Sequence, residues 1–181
     1  MDVSNDWIIK VDSSDRELGR VAKLGCHQGR GVLHRAFSIH IFNHKGQVLL
    51  QKRSNEKLLW PAFWSNSCCS HPRYEEEIES ATVRRLKEEL NLNCGLKFLY
   101  KFEYQAAYTE ELAENELCHV FFGVTDEKPV INHHEISEIQ YVDFDNLQNM
   151  ISNSASEFTP WFKLQWSEIT GKYKDKIFDN L

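Results

Sequence analysis

The stretch Trp64-Ser65-Asn66-Ser67-Cys68-Cys69-Ser70-His71-Pro72 places two neighbouring thiols next to an imidazole and leads into a strongly helical run over residues 75–90. In an extended segment, side chains two apart share a face, so Cys69 and His71 point one way and Cys68 the other. That would set a proton-transfer thiol beside a metal-ligating imidazole. The plainer alternative is that both thiols are small core residues. A second group is Glu114-Asn115-Glu116. On a strand its two carboxylates lie on one face, about 6–7 Å apart along the chain; a solvated strand end would carry the same pattern. A third group is His27 and His34, which flank a loop containing Gly29 and Gly31.

Three imidazoles and two carboxylates are the ligand set of a five- or six-coordinate divalent ion such as Mn, Mg or Zn. A structural zinc site would instead use four ligands, mostly thiolates, at close spacing. Nothing in the periodicity brings residues 27 and 116 together, so these groups need a fold that pools them.

The elements that must do so can be read in outline. Trp7–Val11 reads as a short strand, followed by a polar turn and a helical pattern over residues 18–26. Residues 33–42 and 47–52 are rich in β-formers and read as a hairpin across Asn43-His44-Lys45-Gly46, which has turn chemistry. In 75–90, Ile78, Thr82, Leu86 and Leu90 recur every four residues with charges elsewhere, and the first turn is acidic, as a helix N-terminus favours. Strands follow over 96–107, 115–124 and 139–143. Thr159 then reads as an N-cap with Pro160 at the first helical position. Phe162, Trp166, Ile169, Tyr173 and Ile177 then follow at helical spacing and predict one long amphipathic helix packed on the body of the domain. The order predicts an α+β fold, a mixed sheet with helices on its faces, in a single domain over 1–181 with a core at about 31–170.

Composition narrows the class. At 181 residues, 41% hydrophobic and 27% charged, the chain has the size and make-up of one soluble domain. A net charge of −6 argues against nucleic-acid binding through a basic surface, but a local cluster of Lys and Arg could still hold an anionic small molecule. The five cysteines are odd in number and form no CxxC pair, which suggests reduced thiols and a cytoplasmic setting. The N-terminus has no basic and apolar leader pattern, and no apolar run reaches about 18 residues, so neither secretion nor a membrane span is expected.

Four separated motifs carry a resemblance: Trp60-Pro61, Ser67-Cys68-Cys69-Ser70-His71-Pro72, Leu33-His34-Arg35-Ala36-Phe37-Ser38, and Glu114-Asn115-Glu116. With these, residues 23–161 resemble the type I isopentenyl-diphosphate isomerases, a variant branch of the Nudix fold superfamily. The Nudix box, G-x5-E-x7-R-E-U-x-E-E-x-G-U with U aliphatic, lies over 70–92. Glu76, Arg84, Leu86, Glu88, Glu89 and Leu92 keep it, whereas Ser70, Arg85 and Asn91 depart from it. The Arg at position 85 replaces a carboxylate that gathers hydrolytic magnesium, and so points away from pyrophosphohydrolysis.

The resemblance implies a role for each matching position. The metal ligands would be His27, His34, His71, Glu114 and Glu116. Cys69 and Glu116 would be the two acid/base groups, with Tyr104 and Trp161 as the aromatic lining. Lys23, Arg53, Lys57 and Arg85 would hold a diphosphate, and Glu89 with the Cys69 carbonyl would hold a magnesium bound to it. A simple Arg85–Glu89 ion pair one helical turn apart is the alternative for those two residues. The implied reaction interconverts isopentenyl and dimethylallyl diphosphate through a tertiary cation in a monomer, with no nucleic-acid or membrane partner. A Nudix hydrolase of another diphosphate and a non-catalytic metal- or ligand-binding module are the competing readings.

Overall fold

A computed structural model describes residues 6–181; the reading of the N-terminus falls largely on residues 1–5, outside the described residues. The chain runs β1 (Trp7–Val11), β2 (Glu17–Ala22), α1 (Lys23–Cys26), β3 (His34–Phe42), β4 (Gln47–Arg53), β5 (Trp64–Ser65), β6 (Cys68–Ser70), α2 (Ile78–Leu90), β7 (Leu96–Ala107), β8 (Ala113–Val124), β9 (Ile136–Asp143), α3 (Phe144–Asn153), α4 (Pro160–Glu168) and α5 (Lys174–Phe178), with a π-helical stretch at Ile169–Tyr173. The sheet is mixed: β3 runs parallel to β8, while β7–β8 and β4–β9 are antiparallel. The α+β architecture with helices on the sheet faces is as expected.

Strand β3 is buried on both faces, as a central strand with helical cover requires. Its residues Phe37, Ile39 and Ile41 pack with Cys68 against Ala81, Leu86 and Leu90 of α2. The opposite face contributes Ala36 and Phe42 to a second core that contains Phe162, Trp166, Ile169 and Ile177. Burying each such large side chain contributes roughly 1.5–3 kcal/mol, so the C-terminal helical segment is anchored by its apolar face and not by helix propensity.

Three expectations need correction. Residues 18–26 are not one helix: Glu17–Ala22 pairs as a strand with β1 in the register Trp7↔Ala22 and Ile9↔Arg20, leaving only the four-residue α1. The Asp12 carboxylate accepts hydrogen bonds from the Ser14 and Arg16 amides and closes that turn, and Gly19 takes a φ of 115° that a helix would not allow. The hairpin turn at 43–46 forms, but its strands splay after a single pair, Phe42↔Val48, because β4 leaves to pair along its length with β9. Finally, α2 starts at Ile78, since Glu75 has a φ of 67° and the Glu76 carboxylate turns back to the Arg73 amide and the Arg84 guanidinium. Thr159 precedes α4 in extended backbone but makes no capping bond; its hydroxyl meets that of Ser65.

Candidate active site

Strand register assembles the site. The parallel β3–β8 ladder sets His34 opposite Glu116 at its first rung, and the β7–β8 ladder sets Tyr104 opposite the same Glu116. The β3–β6 pairing places Cys69 opposite Ser38. His27 reaches the group because the loop after α1 is pinned to the start of β8. There the Ala113 amide donates to the His27 carbonyl at 2.9 Å, and the Gly29 amide donates to Glu111 at 2.7 Å. Gly31 allows the close approach: with φ at +76°, a Cβ there would stand 2.9 Å from the Asn115 Cβ and 3.2 Å from the Ala113 carbonyl. Asn115, between the two carboxylates, donates its amide to the Gly31 carbonyl at 3.1 Å.

These strands close around a cavity of about 420 Å³. At one end His27, His34, His71 and Glu114 bring one ligand atom each to within 4.8 Å of all the others. The imidazole centroids lie 4.7–5.7 Å apart. Glu116 joins them from the side, its Oε1 2.9 Å from His71 Nε2 and 3.8 Å from His34 Nε2. Three buried atoms here, His27 Nδ1, His71 Nδ1 and Glu114 Oε2, have no hydrogen-bond partner. Buried polar atoms left without a hydrogen bond are costly unless a cation satisfies them, here by displacing the proton that His27 would otherwise keep. The donor set therefore fits a divalent ion. His34 Nδ1 is taken by the Val32 carbonyl at 2.7 Å, which leaves Nε2 to face the cluster. Burial disfavours a charge on His27, but Cys26 and Glu114 outweigh it and push the imidazole up to about 10. Glu116 is also pushed up by burial, and its bonds to His34 and His71 prevail and hold it below the usual carboxylate range.

Beside this cluster, Cys69 and Tyr104 face the cavity. The Tyr104 hydroxyl donates to Glu116 Oε2 at 2.5 Å. Burial pushes the Cys69 thiol up to about 11, with Arg53 and Lys57 opposing, so the thiol keeps its proton at neutral pH. Arg53 Nη1 lies 3.7 Å from the sulfur. Cys68 turns away into the core against α2 and is fully buried. Trp161 also lines the cavity, with Trp60 edge-on at 5.3 Å and Tyr104 at 6.2 Å.

The same cavity is also lined by four cations, Lys23, Arg53, Lys57 and Arg85, together with Glu56 and Glu135. Burial lowers Lys23, and Arg85 and Lys57 lower it further, as expected of crowded like charges. Glu89 does not line the cavity; its carboxylate accepts from Arg85 Nη2 at 2.7 Å, the ion pair one turn apart. Glu135 was missed by the sequence reading. It accepts from Arg85 Nη2 at 2.8 Å and pairs with Lys57. Burial opposes its charge, but Lys57 and Arg85 prevail and hold its carboxyl at about 2. It sits in the polar loop Asn132-His133-His134-Glu135, where no spacing or periodicity singles it out.

A curled mixed sheet carrying α2 beside a polar cavity is the architecture of a Nudix protein, and the NUDIX domain model matches residues 32–162. Solved structures agree on the fold. A Deinococcus radiodurans protein superposes with a TM-score of 0.67 at 21% identity, covering 81% of this chain and 89% of its own. The MutT protein of Methanosarcina mazei gives 0.62 at 17%, covering 75% and 91%. Sequence relatives are nearer. Isopentenyl-diphosphate Delta-isomerase 1 of Photorhabdus laumondii is 44% identical over 94% of this chain and 98% of its own length. The Delta-isomerase of Pectobacterium atrosepticum is 40% identical over 90% of each. The chain belongs to the isopentenyl-diphosphate Delta-isomerase family of NUDIX-domain proteins.

Proposed function

We propose that this chain interconverts isopentenyl diphosphate and dimethylallyl diphosphate, the activity in the names of its relatives. The observation that carries the reading is one cavity lined by a protonated thiol, Cys69, a carboxylate, Glu116, and the cations Lys23, Arg53, Lys57 and Arg85. Moving the double bond needs a proton delivered to one carbon of an unactivated alkene and a proton removed from another carbon of the tertiary cation that forms. Two proton-transfer groups suffice and no redox cofactor is needed. Cys69 and Glu116 are those groups, and Tyr104 holds the Glu116 carboxylate in place through its hydroxyl. Arg53 beside the sulfur favours the thiolate when the proton is on the substrate.

The cation survives only if water is kept out and negative charge faces it. The ring of Trp161 supplies both. Lys23, Arg53, Lys57 and Arg85 hold the diphosphate, so that binding far from the reacting carbons orients them. His27, His34, His71, Glu114 and Glu116 would hold the divalent ion, whose Lewis acidity fixes and tunes the Glu116 carboxyl. Glu89, once released from its pair with Arg85, and the Cys69 carbonyl would be the groups for a magnesium carried by the diphosphate. Arg85 in place of a box carboxylate disfavours hydrolysis. The chain acts as a single-domain monomer on a small diphosphate. Among the described residues no helix is long and apolar enough to cross a membrane.

The test is to incubate the protein with isopentenyl diphosphate and Mg²⁺ and assay for an acid-labile allylic product. Release of orthophosphate or pyrophosphate without that product would sink the reading.

A further inference from the structure

Asn66 lies behind the cavity, fully buried, with all four of its hydrogen-bonding positions used. Its Oδ1 accepts from Trp161 Nε1 at 3.2 Å and from the Ser65 hydroxyl at 2.9 Å. Its Nδ2 donates to the Cys68 carbonyl at 2.6 Å and the Ile39 carbonyl at 3.3 Å. Ser65 Oγ is itself a second acceptor for Trp161 Nε1 at 3.1 Å, and the Thr159 hydroxyl completes its set at 3.0 Å. Ser65 and Thr159 are also fully buried. One amide thus joins the indole that lines the cavity to the peptide immediately before Cys69, which also lines it.

We propose that Asn66 is a positioning residue for the isomerisation: it locks the indole of Trp161 in rotation and in distance against the strand that carries Cys69. This rests on the activity proposed above. Two physical consequences follow from the geometry. With its N–H pinned between two acceptors, the ring cannot pivot about its side-chain torsions, so the same face stays towards the cavity, where the Arg53 guanidinium already lies over it at 5.3 Å. An N–H that donates strongly also leaves more electron density on the ring, which strengthens its attraction for a cation. Both effects bear on the transition state, and although Arg53 lies over the ring, its guanidinium is held independently by the Trp60 and Leu59 carbonyls, so loss of Asn66 lowers kcat and spares KM.

The experiment is a double-mutant cycle of Asn66→Ala and Trp161→Phe, read as kcat and KM for isopentenyl diphosphate. A displacement on the scale of an ångström at a reacting centre costs up to about 100-fold, so Asn66→Ala is expected to lower kcat by about 30-fold with KM within about threefold. In the Trp161→Phe background, where no N–H remains to be held, the same change should cost less than about threefold. An undiminished loss in that background, or a rise in KM at constant kcat, overturns the proposal. Ser65→Ala, which keeps the Asn66 amide, supplies a readout independent of turnover. In ¹⁵N-tryptophan-labelled protein the Trp161 indole N–H resonance should shift while those of Trp7, Trp60, Trp64 and Trp166 stay in place. An unmoved Trp161 resonance also overturns it. A wild-type protein that fails to isomerise removes the proposed activity, whereas an active wild type with an additive cycle removes only the role of Asn66.

Discussion

His27 Nδ1 and Glu114 Oε2 stand 3.0 Å apart, each less than a tenth exposed, as an ion pair poorly aligned for a hydrogen bond. With His34 and His71 the two residues bring one ligand atom each to within 4.8 Å of all the others. A divalent ion is therefore expected to bind at about one per chain after chelation and gel filtration, displacing protons as it does so. Saturation at about 100-fold above Kd should add roughly 2.7 kcal/mol of stability. Glu114→Gln should weaken binding by more than the roughly 10–100-fold that losing an outer-sphere partner costs. Metal content by mass spectrometry and the thermal midpoint with and without ion check this. No retained metal and an unmoved midpoint would remove the site.

The two thiols separate cleanly by mutation. Cys69 faces the cavity and Cys68 packs against Ala81, Leu86 and Leu90 of α2. Cys69→Ala should abolish turnover in a protein that still folds. Cys68→Ala should keep much of the activity and lose about 1–2 kcal/mol from the small cavity it leaves. Turnover and urea midpoints of the pair decide it; equal activity in both variants would refute the assignment.

What was legible in the sequence is what local periodicity encodes. The recurrence of Ile78, Thr82, Leu86 and Leu90 gave α2, and that of Phe162, Trp166 and Ile169 gave the C-terminal helical face. Period two gave the split between Cys68 and Cys69. The strand at Glu17–Ala22 was hidden because its partner, β1, decides its state and its own pattern is short and broken by Gly19. The pooling of His27, His34, His71, Glu114 and Glu116 depends on the parallel β3–β8 pairing, a contact distant in sequence that no spacing encodes. Resemblance supplied it. Glu135 and Asn66 remained invisible because each acts through partners far along the chain: Lys57 and Arg85 for the first, Trp161 for the second.

Two glycines of one loop make a matched pair. Gly29 and Gly31 both have positive φ, at +62° and +76°, yet a Cβ at Gly29 meets nothing within 4 Å, while one at Gly31 collides with Asn115 and Ala113. Gly29→Ala should cost only the left-handed backbone penalty, about 1–2 kcal/mol. Gly31→Ala adds a clash with the backbone of β8 and must push the His27 loop away from Glu114. Its thermal midpoint should fall further, and its metal affinity should drop while that of Gly29→Ala holds. Equal metal binding by the two variants would show that the loop's seat on β8 does not set the site.

A pH effect on stability follows from His40, which is fully buried on β3 with Nε2 donating to Gln165 Oε1 at 3.0 Å and Nδ1 unpartnered. Burial lowers this imidazole from 6.5 to about 4, the Gln165 bond opposing. Because the folded value lies below the unfolded one, the unfolded chain takes up the proton first as pH falls. Stability is full above about 6.5 and is lost progressively down to about 4, by about 3 kcal/mol in total. In His40→Asn the group cannot titrate. The variant should start less stable at pH 7.5, since the Gln165 contact is remade imperfectly, but its stability should fall less steeply with acid, by close to one proton's slope of about 1.4 kcal/mol per pH unit. Urea unfolding of both proteins from pH 7.5 to 4 gives the difference directly, and parallel curves would place the acid sensitivity elsewhere.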